Sequence, residues 1–380
     1  MIDPYEVCTV QAKWHVISER KDIIKESIPH WENLMGVIDW SSLELPLKLV
    51  AFPEGCLDGW PEDLFDIKHE EAYEKFAIDI PGEETDRLGA LAKKYGVHLI
   101  FTAKAKWPEV IEKRIFNTAI IIDPKGEVIH KYAKNIVATF ETTTTPHDVL
   151  DAWIKAFGND LKSFFPVADT EIGRIGTLIC MEGSFPETWR GLAVNGAEII
   201  YRSSYLNYGG VTKWWRLQNQ ANALFNSVYA ICPNNGDIAP SAMTGLPGVR
   251  TPYETLGTNT SGGESMVVDY RGQIVNEVNH NGEAFFFAPI NIETLRDYRN
   301  RSGTNWIAYL KSEIFRKIYD APIYPANQRM KKPQQRAEYT RAYFKTIDRL
   351  TEKGVFVAPV EKKATKIGGV TIEPEERESK

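Results

Sequence analysis

Residues 174–189 read Arg174-Ile-Gly-Thr-Leu-Ile-Cys180-Met-Glu-Gly-Ser-Phe-Pro-Glu187-Thr-Trp189. The apolar residues before Cys180 predict a strand, Gly183 and Ser184 predict a turn, and a helix is expected from about Pro186. Such a strand–turn–helix elbow exposes one side chain at the edge of a sheet and aims backbone N–H groups at the atom that it attacks. Cys180 is therefore a candidate nucleophile, and the alternative is a buried structural cysteine at a strand end.

The segments around the elbow predict an α/β protein with two sheets. The apolar run 47–52, closed by Pro53, predicts a buried strand that ends at Glu54. Residues 118–129 and 264–275 each contain an apolar strand, a D-x-x-G turn and a second strand, which is the pattern of a hairpin. Their similarity suggests a structural duplication, and two sheets with helices on their outer faces would accommodate it.

The composition is that of a globular protein with one large domain and an appendage, or with two domains. Hydrophobic residues make up 43% and charged residues 25% of the 380 positions, which leaves enough apolar surface for a core. The 51 acidic and 45 basic residues give a net charge of −6. Because the chain has no basic patch, we expect no nucleic-acid partner.

The pattern of cysteines, histidines and apolar runs also argues against a disulfide-rich, a membrane-spanning or a metal-dependent protein. The four cysteines are widely spaced without a CxxC pair, which predicts a reducing compartment. The chain has no run of about 18 apolar residues, and its N-terminus lacks the layout of a signal peptide, so we expect a cytoplasmic protein without membrane association. The seven histidines show no HxH, HExxH or HxxxH spacing, so no metal or other cofactor is expected.

Three ordered motifs carry a resemblance to a known family. They are Leu49-Val-Ala-Phe-Pro-Glu54, Lys131-Tyr-Ala-Lys134 and the elbow at Cys180, and the hairpin that contains Asp269 also matches. Together they resemble the nitrilase superfamily of carbon–nitrogen hydrolases, most closely its aliphatic amidase and formamidase branch. The resemblance spans roughly residues 10–292 and becomes weak after about residue 300. It implies the four-layer α-β-β-α sandwich of that superfamily.

The resemblance also implies a role for each of the three motifs. A thiol is only slightly ionised near neutral pH, so Glu54 would accept the proton of Cys180 as general base. Lys134 and the backbone N–H of Met181 would then stabilise the oxyanion. The alternatives are that Glu54 is a charged strand end, that Lys134 is a solvated lysine, or that Lys131 is the functional lysine of this hairpin.

Departures from relatives narrow the expected substrate. Relatives that hydrolyse N-carbamoyl amino acids carry arginines where this chain has Gly183 and Ser184, which disfavours a free carboxylate on the substrate. Nitrilases usually have tryptophan where this chain has Met181, which weakens the nitrile alternative. Glu141 is a candidate second glutamate that positions the substrate, although its spacing from Lys134 is not a clean match.

Further candidate pocket residues lie after the predicted strand that follows the elbow, and in an inserted segment. Arg202, Tyr205, Asn207 and Trp214 are candidate pocket residues, and loop and helix packing is the alternative. The inserted segment 140–165 is rich in aromatic residues and is expected either to wall the site as a lid or to pack without contacting substrate.

The C-terminal part is predicted to be an arm. Trp306, Leu310, Ile314 and Ile318 recur every four residues, which predicts a helix with one apolar stripe. A second helix is expected at about 333–350. We therefore divide the chain into a hydrolase domain at 1–300, an arm at 301–360 that contacts another subunit, and a disordered tail at 361–380.

The sequence thus predicts a cysteine hydrolase of small molecules. The expected reaction is hydrolysis of a carboxamide to a carboxylic acid and ammonia through a thioester. The alternatives are a nitrilase and a non-catalytic or regulatory member that uses the fold for binding. We expect a homodimer or a larger even-numbered homo-oligomer, because relatives dimerise.

Overall fold

The computed structural model describes residues 1–15, 17–64, 66–205, 211–236, 238–239, 262–367 and 369–377. The strands are β1 (Tyr5–Gln11), β2 (Trp14–His15), β3 (Leu47–Ala51), β4 (His98–Lys106), β5 (Ile115–Ile122), β6 (Val128–Ala133), β7 (Val167–Thr170), β8 (Gly173–Ile179), β9 (Ile199–Ser203), β10 (Tyr229–Cys232), β11 (Ile238–Ala239), β12 (Met266–Val268), β13 (Ile274–Glu277), β14 (Ala284–Ile290), β15 (Thr365–Ile367) and β16 (Val370–Ile372).

The helices are α1 (Arg20–Asp22), α2 (Ile28–Ser41), α3 (Pro61–Leu64), α4 (His69–Lys75), α5 (Glu83–Tyr95), α6 (Leu150–Phe157), α7 (Leu161–Phe164), α8 (Pro186–Val194), α9 (Val211–Asn226), α10 (Ile292–Arg301), α11 (Ser312–Phe315), α12 (Arg336–Glu352) and α13 (Pro374–Arg377). A π-helical turn, Ile23–Ser27, joins α1 to α2, and short 3-10 turns lie at His147–Val149, Cys180–Ser184, Trp306–Tyr309 and Arg316–Tyr319.

Two six-stranded sheets form the centre of the molecule. The first has the order β14-β1-β3-β4-β5-β6 and the second has the order β13-β12-β10-β9-β8-β7. Three neighbouring strands are parallel in each sheet: β1, β3 and β4 in the first, and β8, β9 and β10 in the second. Parallel neighbours need crossover connections. These connections include α2 and α5 in the first sheet and are α8 and α9 in the second.

The two sheets repeat one arrangement, in agreement with the duplication suggested by the sequence. Each sheet ends in a D-x-x-G hairpin, β5–β6 or β12–β13. Asp123 and Asp269 each accept hydrogen bonds from the backbone N–H groups two and four residues further on. Gly126 and Gly272 have φ of +90° and +75°, a region that glycine adopts without steric cost.

The layers follow the predicted α-β-β-α order. The inner faces of the two sheets share one buried apolar cluster that includes Leu49, Ile100, Ile121, Ile175, Ile199 and Ile231. On the outer face of the first sheet, Trp31 of α2 and Leu88 of α5 belong to a second cluster. On the outer face of the second sheet, Trp189 of α8 and Trp215 of α9 belong to a third. The central strands are buried on both faces, which explains their continuous apolar sequences.

The first part of the C-terminal arm differs from the prediction. Instead of one helix, the structure has the short turn at 306–309, α11 and the turn at 316–319. The predicted stripe lies open to solvent, with Trp306, Ile314 and Ile318 exposed by 41%, 67% and 62%. Helices in proteins are stabilised mainly by burying an apolar face. Because the described chain leaves much of this face uncovered, a long helix gains little here.

The later part of the arm packs on its own chain. Arg329 is fully buried, and its guanidinium donates hydrogen bonds to the carbonyl oxygens of Thr142 and Thr143. Helix α12 follows, in agreement with the predicted second helix. The tail at 361–380, predicted to be disordered, instead contains the hairpin β15–β16 and α13 within its described part. Arg377 of α13 forms an ion pair with Asp348 of α12, which holds the tail on the arm. The division at residues 300 and 360 stays a prediction.

The described residues contain neither a membrane-spanning helix nor a cluster of metal-binding side chains. None of these helices combines the length and the apolar character that crossing a bilayer requires. Within the same ranges, no group of three or more His, Cys, Asp and Glu side chains is arranged to hold a metal ion.

Candidate active site

Strand ends position the three predicted catalytic residues. Glu54 follows β3, Lys134 follows β6 and Cys180 follows β8. The first two strands belong to one sheet and the third belongs to the other, so the residues approach each other across the sandwich. The hydroxyl of Tyr201 on β9 donates a hydrogen bond to the carbonyl oxygen of Phe52, which ties the second sheet to the segment before Glu54.

Glu54, Lys134 and Glu141 form a buried ionic set. The Nζ of Lys134 donates to Glu54 Oε1 at 2.9 Å and to both carboxylate oxygens of Glu141, at 2.9 and 2.7 Å. All three side chains are at most 2% exposed. Burial opposes the charge on Lys134, but the carboxylates of Glu141 and Glu54 outweigh it, so the pKa of Lys134 lies well above its usual value. The ammonium is therefore charged at neutral pH. Lys131, the rival lysine, instead pairs with Glu109 at 2.9 Å.

Asn117 is a site residue that sequence reasoning missed. Its Nδ2 donates to Glu54 Oε1 at 2.8 Å, and its carbonyl oxygen accepts the backbone N–H of Lys134 at 2.9 Å. It thus fixes both members of the ion pair. The available signal was one amide side chain inside the otherwise largely apolar strand Ile115–Ile122, because a buried polar group needs a partner.

The elbow holds Cys180 in an uncommon backbone conformation. Its φ is +50°, a left-handed value that costs energy for a residue other than glycine and is found at functional sites. Glu182 supports the turn, because its carboxylate accepts hydrogen bonds from the backbone N–H groups of Ile179 and Asn135, both at 2.7 Å, and from the hydroxyl of Tyr132. These bonds connect the elbow to the segment that carries Lys134.

Comparison with known proteins assigns the family. Residues 11–300 match the family model of carbon–nitrogen hydrolases. The chain belongs to the carbon–nitrogen hydrolase family. It is 31% identical over 235 residues to formamidases of Bacillus cereus and Bacillus anthracis, a match that covers 61% of this chain and 63% of those proteins. The chain therefore spans less than two thirds of the length of these relatives.

Solved structures share the fold of this chain. A carbon–nitrogen hydrolase from Helicobacter pylori G27 superposes with a TM-score of 0.62 at 19% identity, covering 84% of this chain and 99% of that one. A cysteine-to-alanine mutant of the amidase of Nesterenkonia AN1 gives 0.57 at 16% identity, covering 83% and 97%. The Saccharomyces cerevisiae protein Nit3 gives 0.58 at 23% identity, covering 79% and 94%. The predicted nitrilase-superfamily sandwich is confirmed.

The pKa of the candidate nucleophile, Cys180, is raised, which favours a neutral thiol near pH 7. Burial raises the pKa of the Cys180 thiol, the charge of Glu54 raises it further, and Lys134 opposes both. Burial also raises the pKa of Glu54, against the opposing charge of Lys134. A protonated thiol beside a carboxylate of increased basicity is suited to proton transfer from sulfur to oxygen.

The predicted pocket residues divide into those at the site and those away from it. The backbone N–H of Tyr205 donates to Glu54 Oε2 at 3.1 Å, and its ring packs against Trp60 with centroids 5.4 Å apart. Trp214 was expected in the pocket but is 63% exposed on α9, whereas its neighbour Trp215 is buried. Adjacent residues of a helix lie on different faces, so the Trp214 indole is in contact with solvent when Trp215 faces the core. Asn207 lies outside the described residues.

Arg202 is not a pocket wall but a support beneath the elbow. It is 2% exposed, and its Nη2 donates to the carbonyl oxygen of Cys180 at 3.2 Å and to Gln218 at 2.7 Å, while Nη1 donates to Asn219 at 2.6 Å. Its guanidinium lies over the Trp215 ring. Through these hydrogen bonds, Arg202 holds the backbone of the nucleophile candidate in place and does not line a ligand pocket.

Proposed function

We propose that this chain hydrolyses the C–N bond of a carboxamide to a carboxylic acid and ammonia through a thioester at Cys180. The observation that carries the proposal is the buried Lys134 ammonium, held between the carboxylates of Glu54 and Glu141 beside the elbow. The similarity to formamidases supports an amide substrate. A Nesterenkonia amidase of the same fold has been solved with the acetamide moiety of fluoroacetamide added at its active-site cysteine, which supports covalent catalysis.

The reaction begins with proton transfer. Glu54 accepts the thiol proton of Cys180 while the sulfur attacks the carbonyl carbon. The resulting oxyanion is stabilised by the Lys134 ammonium and by the backbone N–H of Met181. Glu54 then gives its proton to the nitrogen, the C–N bond breaks and ammonia leaves a thioester.

Water completes the cycle. Glu54 takes a proton from water as the oxygen attacks the thioester, and the departing thiolate regains that proton. Glu141 keeps the ammonium of Lys134 in place through both halves of the reaction. The net conversion is amide and water to acid and ammonia, and none of the steps calls on a cofactor.

Ammonia release by matched amide and nitrile pairs tests the proposal. We expect the wild-type protein to turn over amides, and Cys180→Ala to release no ammonia while its circular dichroism spectrum is unchanged. Intact mass spectrometry should detect an acyl adduct on the wild-type protein only. Ammonia release by Cys180→Ala would overturn the assignment, turnover of nitriles alone would favour a nitrilase, and no turnover would favour a binding protein.

We also propose that the exposed stripe of the arm contacts a second copy of the chain. Large apolar side chains in contact with solvent mark association surfaces when they lie together, and Trp306, Ile314 and Ile318 share this segment. Light scattering should report a homodimer or a larger even-numbered oligomer for the wild-type protein and a smaller species for the triple serine variant at these positions. An unchanged mass would contradict this proposal.

A further inference from the structure

A largely apolar cavity of about 650 Å³ lies between the insertion and the C-terminal arm. One side is formed by the segment after Lys134 and by Phe164 and Phe165 of the insertion. The opposite side is formed by the arm, with Tyr343, Ile347 and Leu350 of α12. A cavity of this size and character is typical of sites that bind small organic molecules.

The cavity lies beside the two backbone segments that carry Lys134 and Cys180. Its lining includes Asn135, the residue after Lys134, and Met181, the residue after Cys180. Asn135 also fixes this wall, because its Nδ2 donates to the carbonyl oxygen of Phe164 at 2.9 Å. Met181 is 37% exposed although it adjoins the nucleophile. An apolar group attached to the reacting carbonyl would therefore find an apolar surface next to the elbow.

Asp148 and His147, which line the cavity, do not offer a free charge to a ligand. Asp148 accepts hydrogen bonds from the backbone N–H and the hydroxyl of Thr145, and the buried Arg329 lies 3.5 Å from its carboxylate. Burial lowers the pKa of His147, which keeps this imidazole neutral near pH 7. A charged group in the cavity would lose its hydration without gaining a partner, whereas an apolar group gains by leaving water.

We infer that this cavity binds the apolar acyl group of the carboxamide, so that the preferred substrates are neutral amides of medium-length aliphatic or arylalkyl acids. The inference rests on the proposed amidase function and specifies its substrate class. One wall of the cavity comes from α12, whereas the match to the hydrolase family ends at residue 300. The acyl preference is therefore a property of this chain and need not follow the one-carbon acyl group of its formamidase relatives.

Steady-state kinetics on an acyl series tests the inference. For formamide, acetamide, butanamide and hexanamide, we expect kcat/KM to rise about fourfold for each methylene that becomes buried. Ile347→Trp should fill the cavity and lower the hexanamide-to-acetamide ratio of kcat/KM at least tenfold. Leu350→Phe, which adds less volume, should lower it less. Glu352→Trp places the same indole at an exposed position of the same helix and serves as the matched control.

Binding to the inactive protein separates this inference from the proposed function. Calorimetry should show hexanamide binding to Cys180→Ala, and binding at least tenfold weaker once Ile347→Trp is added. The melting temperatures should first show that both cavity variants are folded. If short amides are hydrolysed but both variants keep the wild-type hexanamide-to-acetamide ratio of kcat/KM, the inference is wrong and the proposed function stands. If no amide is hydrolysed, the proposed function fails, and the calorimetry alone decides whether the cavity binds an apolar amide.

Discussion

Replacing Gly183 by alanine tests how the elbow is supported. A Cβ at this position would lie 1.8 Å from Nε and 2.1 Å from Cζ of Arg202. These distances are far shorter than van der Waals contact, so either the guanidinium or the turn must move. The guanidinium is fully buried and donates three hydrogen bonds, one of them to the carbonyl oxygen of Cys180. Because Arg202 fills this space, an arginine at position 183 would also be excluded.

The expected cost follows from these bonds. Hydrogen bonds to charged groups contribute about 1.5 to 3 kcal/mol each, and added volume in a packed site costs about as much again. A movement that breaks one bond should therefore lower the free energy of unfolding by about 3 to 6 kcal/mol. Because the Cys180 carbonyl moves with the turn, kcat/KM should also fall at least tenfold.

Urea unfolding followed by tryptophan fluorescence measures the stability, and ammonia release measures the activity. Ser184→Ala, on the exposed side of the same turn, should change stability by less than about 0.5 kcal/mol. The decisive comparison is a double-mutant cycle with Arg202→Met. If the guanidinium is the obstacle, Gly183→Ala should cost much less in the Arg202→Met background. Equal costs in both backgrounds would refute the reasoning.

Three further predictions concern charged residues. Lys134→Ala should lose about 3 kcal/mol or more of transition-state stabilisation, whereas Lys131→Ala should lose less than tenfold in kcat/KM; the reverse order would assign the role to the wrong lysine. Lys104 is buried, and its charge opposes the rise in the pKa of Glu54 that burial causes. Lys104→Met should therefore move the acid limb of the kcat/KM profile to higher pH, while the control Lys106→Met on the same strand should leave it in place. Burial, Arg329 and Arg114 lower the pKa of His69 from 6.5 to about 3. As the pH falls, His69 is therefore protonated in the unfolded chain before it is protonated in the folded chain. The stability that is present above pH 6.5 is then lost as the pH falls towards 3. Between pH 6.5 and 4, urea unfolding should show a loss about 3 kcal/mol larger for the wild-type protein than for His69→Gln, and equal losses would contradict this.

The sheets could be predicted because their signals are local, whereas the proposed catalytic residues were predicted from the resemblance of three ordered motifs to one family. Cys180 directly follows an apolar strand, Glu54 lies three residues after another, and the D-x-x-G turns identified the repeated hairpins. Parallel strands in a layered α/β fold then bring such ends together. The three ordered motifs thus allowed Glu54, Lys134 and Cys180 to be predicted together, whereas the spacing of Glu141 was not a clean match.

Contacts between distant segments could not be predicted in this way. Asn117 contacts Glu54 across 63 residues of sequence. Arg202 was placed on the correct segment, but whether it faced a pocket or the underside of the elbow depended on the packing of α9. The period-four stripe at 306–318 correctly located the apolar side chains, yet periodicity does not report whether a surface exists to cover them. These features depend on tertiary packing, which a local pattern does not contain.

The buried ionic set explains how the proposed reaction avoids adding charge to the interior. The proposed mechanism starts with Glu54 and Glu141 as carboxylates beside the Lys134 ammonium, so these three side chains together carry one negative charge. When Glu54 takes the thiol proton it becomes neutral, and the negative charge reappears on the oxyanion. The net charge is therefore unchanged while one partner of the ammonium is replaced by another. Lys134 loses a counter-ion at the moment when the oxyanion forms, and Glu141, through two hydrogen bonds, keeps the ammonium in place. Because charge is only displaced within a region of low dielectric, the large cost of creating a new buried charge does not arise.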